Sequence, residues 1–157
     1  MARAPFQILV LPFRRSSSGE FEFATLCRSD DGSWQGVAGG GEAGETPEAA
    51  AIREATEEIG VPPSLPFYRL DSQCSIPVHF FSERLHWPAD LFVIPEYSFA
   101  VDCTSVELRL SKEHVQQRWG PYKETRERLR WDSNKTALWE LNERLRSGQL
   151  GTPIQPG

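Results

Sequence analysis

The first pattern in the chain is an almost unbroken apolar run, FQILVLPF at residues 6–13. It reads as a first strand. Pro12 within the run predicts an edge position or a bulge, because proline has no N–H to give to a ladder. A polar turn around residues 14–21, RRSSSGEF, leads to FEFATLCR, whose alternation of period two predicts a second strand. SDDGS reads as a turn, and WQGVA as a short strand entering a run of glycines. A helix follows, with Thr46 as N-cap, Pro47 at the first helical position and Gly60 at its close. Beyond VPPSLP, strand-like stretches are expected at about 66–82 and 97–110, separated by the long connection HWPADLFVIPEY. A last helix fits SNKTALWELNERLRSG, with Leu138, Leu141 and Leu145 on one face and Gly148 near its end. Strands, helix, strands, helix in that order predict a mixed sheet covered by helices, in the α/β or α+β class. The expected organisation is one domain over residues 1–150 and a frayed tail at 151–157.

The first helix carries an unusual charge pattern. Ile52, Ala55 and Ile59 share one face, while Glu54, Glu57 and Glu58 crowd the other, with Ala50 among them. At i, i+3, i+4 the three carboxylates lie roughly 5–6 Å apart at Cβ. In a cleft of effective dielectric near 20, each such pair would repel by about 3 kcal/mol. Either the face is fully solvated or a cation sits on it. The preceding glycines let backbone approach a ligand closely, and clustered carboxylates with few basic partners suit Mg²⁺.

Composition narrows the setting. At 157 residues, 39% apolar and 25% charged, the chain suits one ordinary globular domain. A net charge of −5 argues against nonspecific nucleic-acid binding. No apolar run approaches a membrane span, and the first residues lack a signal-peptide pattern. Three widely spaced cysteines form neither a disulfide framework nor a zinc motif, and the expected compartment is the cytoplasm.

Gly39, Glu45 and the run Arg53-Glu54-Ala55-Thr56-Glu57-Glu58-Ile59-Gly60-Val61 resemble the Nudix hydrolase signature over its whole length. Ala55 departs from the larger aliphatic usual there, a matter of packing. The resemblance implies an α/β/α sandwich and hydrolysis of a nucleoside diphosphate linked to another group. It implies Mg²⁺, replaceable by Mn²⁺, on Glu54, Glu57 and Glu58, with one glutamate also handling the attacking water. Arg53 would orient the acids, Glu45 would bind Arg53 or the outer metal shell, and Gly39 with Ala38 would offer backbone to metal and phosphate. An acidic protein would then hold an acidic substrate through the ions between them.

The segment LSKEHVQQRWGPYKETRERLRWDSNKTALWELN, with LCRSDDGSW and WQGVAGG, resembles the bacterial dihydroneopterin triphosphate diphosphatases. By that resemblance Glu113 adds a metal ligand, Arg28 reaches the triphosphate or ring, and Phe81 lies near the substrate pocket. Ala38 stands where that subgroup tends to have Thr. Glu96 is the alternative outside carboxylate, and a first-turn helical acid behind Ser111 is the alternative reading of Glu113. Trp119 and Trp131 fit core packing equally well, and Ser133 and Asn134 fit helix capping. Phe81, Trp87 and Tyr97 can stack on a heterocycle or pack the fold. His79, His86 and His114 have no metal-ligand spacing, and KETRERLR suits a solvated helix face. The expected activity is metal-dependent cleavage of a (deoxy)nucleoside or dihydroneopterin triphosphate to the monophosphate and pyrophosphate. The alternatives are dinucleoside polyphosphates or ADP-ribose as substrates, or a catalytically silent nucleotide-binding module.

Overall fold

The computed structural model describes residues 2–154. Its spine is β1 (Arg3–Arg15). Successive residues of this strand feed opposite layers. Ile8 and Val10 enter one buried cluster, while Leu9, Leu11 and Phe13 enter the other. Burial on both faces is why the run is apolar at nearly every position rather than at every second one.

Around β1 are arranged β2 (Phe21–Arg28), the short β3 (Trp34–Gln35), β4 (Val37–Glu42), β5 (Phe67–Pro77), β6 (Val93–Asp102) and β7 (His114–Gly120). The seven strands follow the path β3-β2-β1-β6-β5, with β4 also on β1 and β7 also on β2. The β1–β6 pairing is parallel and the others are antiparallel, so the sheet is mixed. Helix α1 (Pro47–Ile59) covers one face; α2 (Tyr122–Arg128) packs near β2, and α3 (Asp132–Ser147) covers the other face. This is the α/β/α sandwich.

Pro12 is in a central strand, not at an edge. One side of β1 pairs with β6 from Gln7 to Phe13, but the other side changes partner. It pairs with β4 as far as Val10 and with β2 from Phe13. Pro12 falls in the gap, where a missing N–H leaves no ladder position empty.

Four other expectations change. The stretch expected as strand to about residue 82 stops at Pro77 and gives way to two 3₁₀ turns, Val78–Phe80 and Ser82–His86. The next strand begins at Val93 and ends at Asp102 rather than near 110. β7 was not expected, because HVQQRWG carries little strand propensity; it is held by its backbone ladder to β2. The tail is anchored at Ile154, whose N–H donates to Phe67 O at 2.7 Å and whose side chain packs on the α1-side core. Residues 155–157 lie outside the described part of the chain.

Candidate active site

Local chemistry fixes the helix that carries the acids. Thr46 Oγ1 accepts the Ala49 N–H at 3.1 Å, and Gly60 closes α1 in the left-handed region at φ 69°, its N–H donating to Thr56 O. Ala50, Ala55 and Ile59 are buried against the sheet, so Ala50 belongs to the core and not to the acidic face.

The acids do not all face outward. Glu57 is exposed, but the Glu54 side chain is only 15% exposed and Glu58 only 3%. The cover comes from far along the chain. Arg109 N–H donates to Ile59 O at 2.8 Å and Ser111 N–H to Glu58 O at 2.9 Å, laying residues 109–114 over the end of α1. Glu113 is thereby brought beside Glu58. Glu113 precedes β7 in a turn, with its N–H toward Ser111 Oγ at 3.3 Å, and it does not start a helix.

Glu58 has no hydrogen-bond donor at either carboxylate oxygen. His114, buried with both ring nitrogens unpartnered, stands 3.9 Å away. Burial lowers the His114 pKa, which favours the neutral ring. Desolvation, then the charges of Glu54 and Glu113, push the Glu58 pKa far above its ordinary 4.5. Glu54 is also raised, mainly by desolvation. In the metal-free chain Glu58 therefore keeps its proton at neutral pH.

Arg53 ties the acids to the glycines of β4. Its guanidinium donates to Glu45 through Nε (2.8 Å) and Nη2 (2.9 Å), and to Gly40 O at 3.0 Å. Nη1 reaches Glu54 at 3.1 Å and Glu57 at 3.3 Å. The bond from Arg53 holds the Glu45 carboxyl below its usual range. Glu45 in turn accepts the Glu42 N–H at 2.9 Å, so it braces both the arginine and the loop. Gly39 faces Glu54 so closely that a Cβ there would overlap the carboxyl group. At Gly40, a Cβ would overlap the Arg3 guanidinium.

These groups border a cavity of about 630 Å³ lined by Arg3, Gly40, Arg53, Glu54, Glu83 and His86, among others. The sequence reading missed Arg3 and Glu83, which pair at 3.1 Å. An arginine that opens β1 gives no signal until the chain folds. Trp87 Nε1 donates to Arg3 O at 3.0 Å and Phe81 lies under the Arg3 guanidinium, so both fasten the 78–92 loop to β1. Tyr97 packs against the α1-side core, Trp119 also contacts it, and Trp131 is 44% exposed.

Not every expected residue joins this cluster. Arg28 forms a bidentate pair with Asp30 at 2.8 and 2.6 Å, within the field of Glu113. Ala38 pairs with Leu9, on the opposite side of β4 from Gly39. Glu96 alternates along β6 with Tyr97 and Phe99 of the α1-side core and so points to the α3 side, away from the helix acids. Ser133 and Asn134 do not cap α3, whose N-cap is Trp131 without a side-chain bond. Asn134 Oδ1 instead accepts the Gly36 N–H at 3.0 Å, pinning the helix to the strand before the glycines.

Among the described residues, no three carboxylate, histidine or cysteine side chains converge on one point as they stand. Glu57 is turned to Arg53. The donor set nevertheless fits a hard divalent cation. Glu58 holds two buried oxygens without donors, with the carboxyls of Glu54 and Glu113 beside it. One consequence is measurable. An acid whose pKa is raised by folding binds its proton more tightly when folded, so stability falls as pH rises above 4.5. Glu45 has the opposite sign and weakens the fold as pH drops below that range. The Tm of the chelator-treated protein is therefore expected to decline from about pH 6 to pH 9. Added Mg²⁺ should raise Tm, and by more at pH 9 than at pH 6. A Tm gain from Mg²⁺ that shrinks toward high pH would contradict this account.

Comparison with known proteins adds to the geometry. The family model described as NUDIX domain matches residues 8–139. A solved structure from Listeria monocytogenes, of a protein assigned to the NUDIX hydrolases, is 41% identical with a TM-score of 0.83, covering 97% of this chain and 100% of that one. The E. coli dihydroneopterin triphosphate pyrophosphohydrolase is 23% identical, with a TM-score of 0.71 and coverage of 90% and 99%. A C. elegans Ap4A hydrolase in a binary complex is 18% identical, also at TM-score 0.71, with coverage of 92% and 99%. At those identities the last two speak to the fold alone.

Proposed function

The chain belongs to the Nudix family, hydrolases of phosphoric anhydrides, and from that premise we propose that it is a metal-dependent pyrophosphohydrolase cleaving a (deoxy)nucleoside or pterin triphosphate to the monophosphate and pyrophosphate. The observation that carries the reading is the buried Glu58 carboxyl without a donor, set against Glu54, Glu113 and the Arg53 network.

In this reading Glu54, Glu57, Glu58 and Glu113 hold Mg²⁺, or Mn²⁺ in its place. When bound, the ion neutralises phosphate charge and acidifies water. Arg53 keeps Glu54 and Glu57 in register with the Gly40 carbonyl of β4. Gly39 admits the Glu54 carboxyl and Gly40 the Arg3 guanidinium close against the β4 backbone, which sets an acid and a base at the cavity where metal and phosphate would meet them. Glu57, the most open of the helix acids, or Glu54 accepts the proton as water adds to phosphorus. The bond to the bridging oxygen breaks, and the leaving phosphate takes that oxygen.

A panel of dGTP, dATP, dihydroneopterin triphosphate, Ap4A and ADP-ribose, assayed with Mg²⁺ for each phosphate species released, tests the reading. Triphosphates are expected to give pyrophosphate and monophosphate, with oxygen from labelled water in one product only. Stepwise release of orthophosphate without pyrophosphate would reject this cleavage mode.

A further inference from the structure

A second cavity, of about 240 Å³, opens between β5, β6 and the start of α3, lined by Ser72, Cys74, Glu96, Ser98, Ser133 and Thr136, among others. Glu96 is only 6% exposed. Among the described residues no arginine, lysine or histidine bonds to it. Its partners are the Cys74 thiol at 3.6 Å and the Ser133 hydroxyl. Burial raises its pKa, and these two weak donors only partly offset that. A buried carboxyl held only by a thiol and a hydroxyl, facing a cavity, is a candidate for ligand contact.

The strand register links this cavity to the phosphate end. Gln7 of β1 pairs with Gly40 on one side and with Glu96 on the other. Adjacent strands lie about 4.8 Å apart, so Glu96 stands roughly 10 Å from Gly40. Gly40 borders the larger cavity with Arg53 and Glu54, and Arg3 there bonds Gln7. The Arg3 guanidinium covers Gly40 on this face and donates to Gln7, so a mononucleotide whose phosphates meet Arg3 extends its ring across Gln7 to Glu96.

We propose that Glu96 reads the substrate's heterocycle, its two oxygens accepting parallel bonds from a ring N–H and the adjacent exocyclic amino group. That amidine edge is shared by guanine and pterin and absent from adenine. Adenine offers one amino group beside bare ring nitrogens, so the second carboxylate oxygen would face a lone pair. The two incoming donors also favour the ionised carboxylate. The inference rests on the triphosphate reading and narrows its substrate class.

Binding of dGMP, dIMP and dAMP in the presence of chelator, measured by calorimetry, tests this without catalysis. Wild type is expected to bind dGMP at least tenfold tighter than dAMP, with dIMP, which lacks the amino group, in between. Equal binding of dGMP and dIMP would overturn the proposal. Glu96→Gln, near-isosteric, presents one acceptor and one donor and so matches adenine instead. Its dGTP-to-dATP ratio of kcat/KM should fall at least tenfold, with no change in the Mg²⁺ needed for half activity. An equal loss on both substrates, or a raised Mg²⁺ requirement, would reject base reading. If Glu96→Gln shifts the binding preference while no triphosphate is hydrolysed, the catalytic reading fails and this one stands. Comparing kcat/KM for dGTP and dihydroneopterin triphosphate then decides between the purine and the pterin source.

Discussion

Glu58→Gln is expected to lower kcat by at least about two orders of magnitude, and to raise the Tm of the metal-free protein. The two effects have one cause. Glu58 is buried without a donor, beside Glu54 and Glu113, and folding holds it against desolvation and like charge. A glutamine is neutral in both the folded and unfolded chain, so it needs no proton uptake on folding, and it supplies an N–H that either neighbour can accept. For a chain of this size each kcal/mol relieved raises Tm by about 2–4 °C. Glu57→Gln separates the roles, since Glu57 is exposed: it should depress kcat similarly and leave the metal-free Tm nearly unchanged. Glu113→Gln should lower kcat and raise the Mg²⁺ concentration needed for half activity. The measurements are steady-state rates over a Mg²⁺ series and melting curves with and without chelator. Activity that survives chelation would overturn the metal reading. A clear drop in metal-free Tm for Glu58→Gln would make that acid structural.

What the sequence made legible is what local chemistry decides. Thr46, Pro47 and Gly60 bracket a helix by capping rules alone, and the structure closes it at those positions. The spacing of Glu54, Glu57 and Glu58 likewise fixes a shared helix flank. How deep each acid lies was not legible, because the cover comes from residues 109–114, about fifty positions away, through bonds to Glu58 O and Ile59 O. Burial in this cluster is a tertiary property, and helical periodicity carries no trace of it. β7 escaped for a related reason. Its polar side chains leave only the backbone ladder to β2 to define it, and a ladder has no sequence signature. Asn134 read as a cap residue because asparagine prefers caps, yet its carbonyl is spent on Gly36 N–H. The three cysteines, expected to form no disulfide, are all free.

Arg53→Lys should separate positioning from ligation within the same cluster. Lysine keeps the positive charge but not the planar fork. Arg53 uses that fork in full: two bonds to Glu45, one to the Gly40 carbonyl, and one each to Glu54 and Glu57. An ammonium can replace at most a subset of these, leaving Glu45 or the Gly40 carbonyl without a donor. Hydrogen bonds to charged groups contribute about 1.5–3 kcal/mol each. The Arg53 side chain is only 22% exposed, so solvent cannot fully replace them. Arg53→Lys is therefore expected to lower Tm by several degrees both with and without Mg²⁺. In the metal-free protein its sign is then opposite to that of Glu58→Gln. The rate should fall by about two orders of magnitude as Glu54 and Glu57 lose their common brace. Glu45→Gln acts on the same fork from the other side, so the double variant should lose much less than the sum of the two. Full additivity in the melting curves would mean that Glu45 and Arg53 act separately, and the brace between the loop and the helix acids would have to be abandoned.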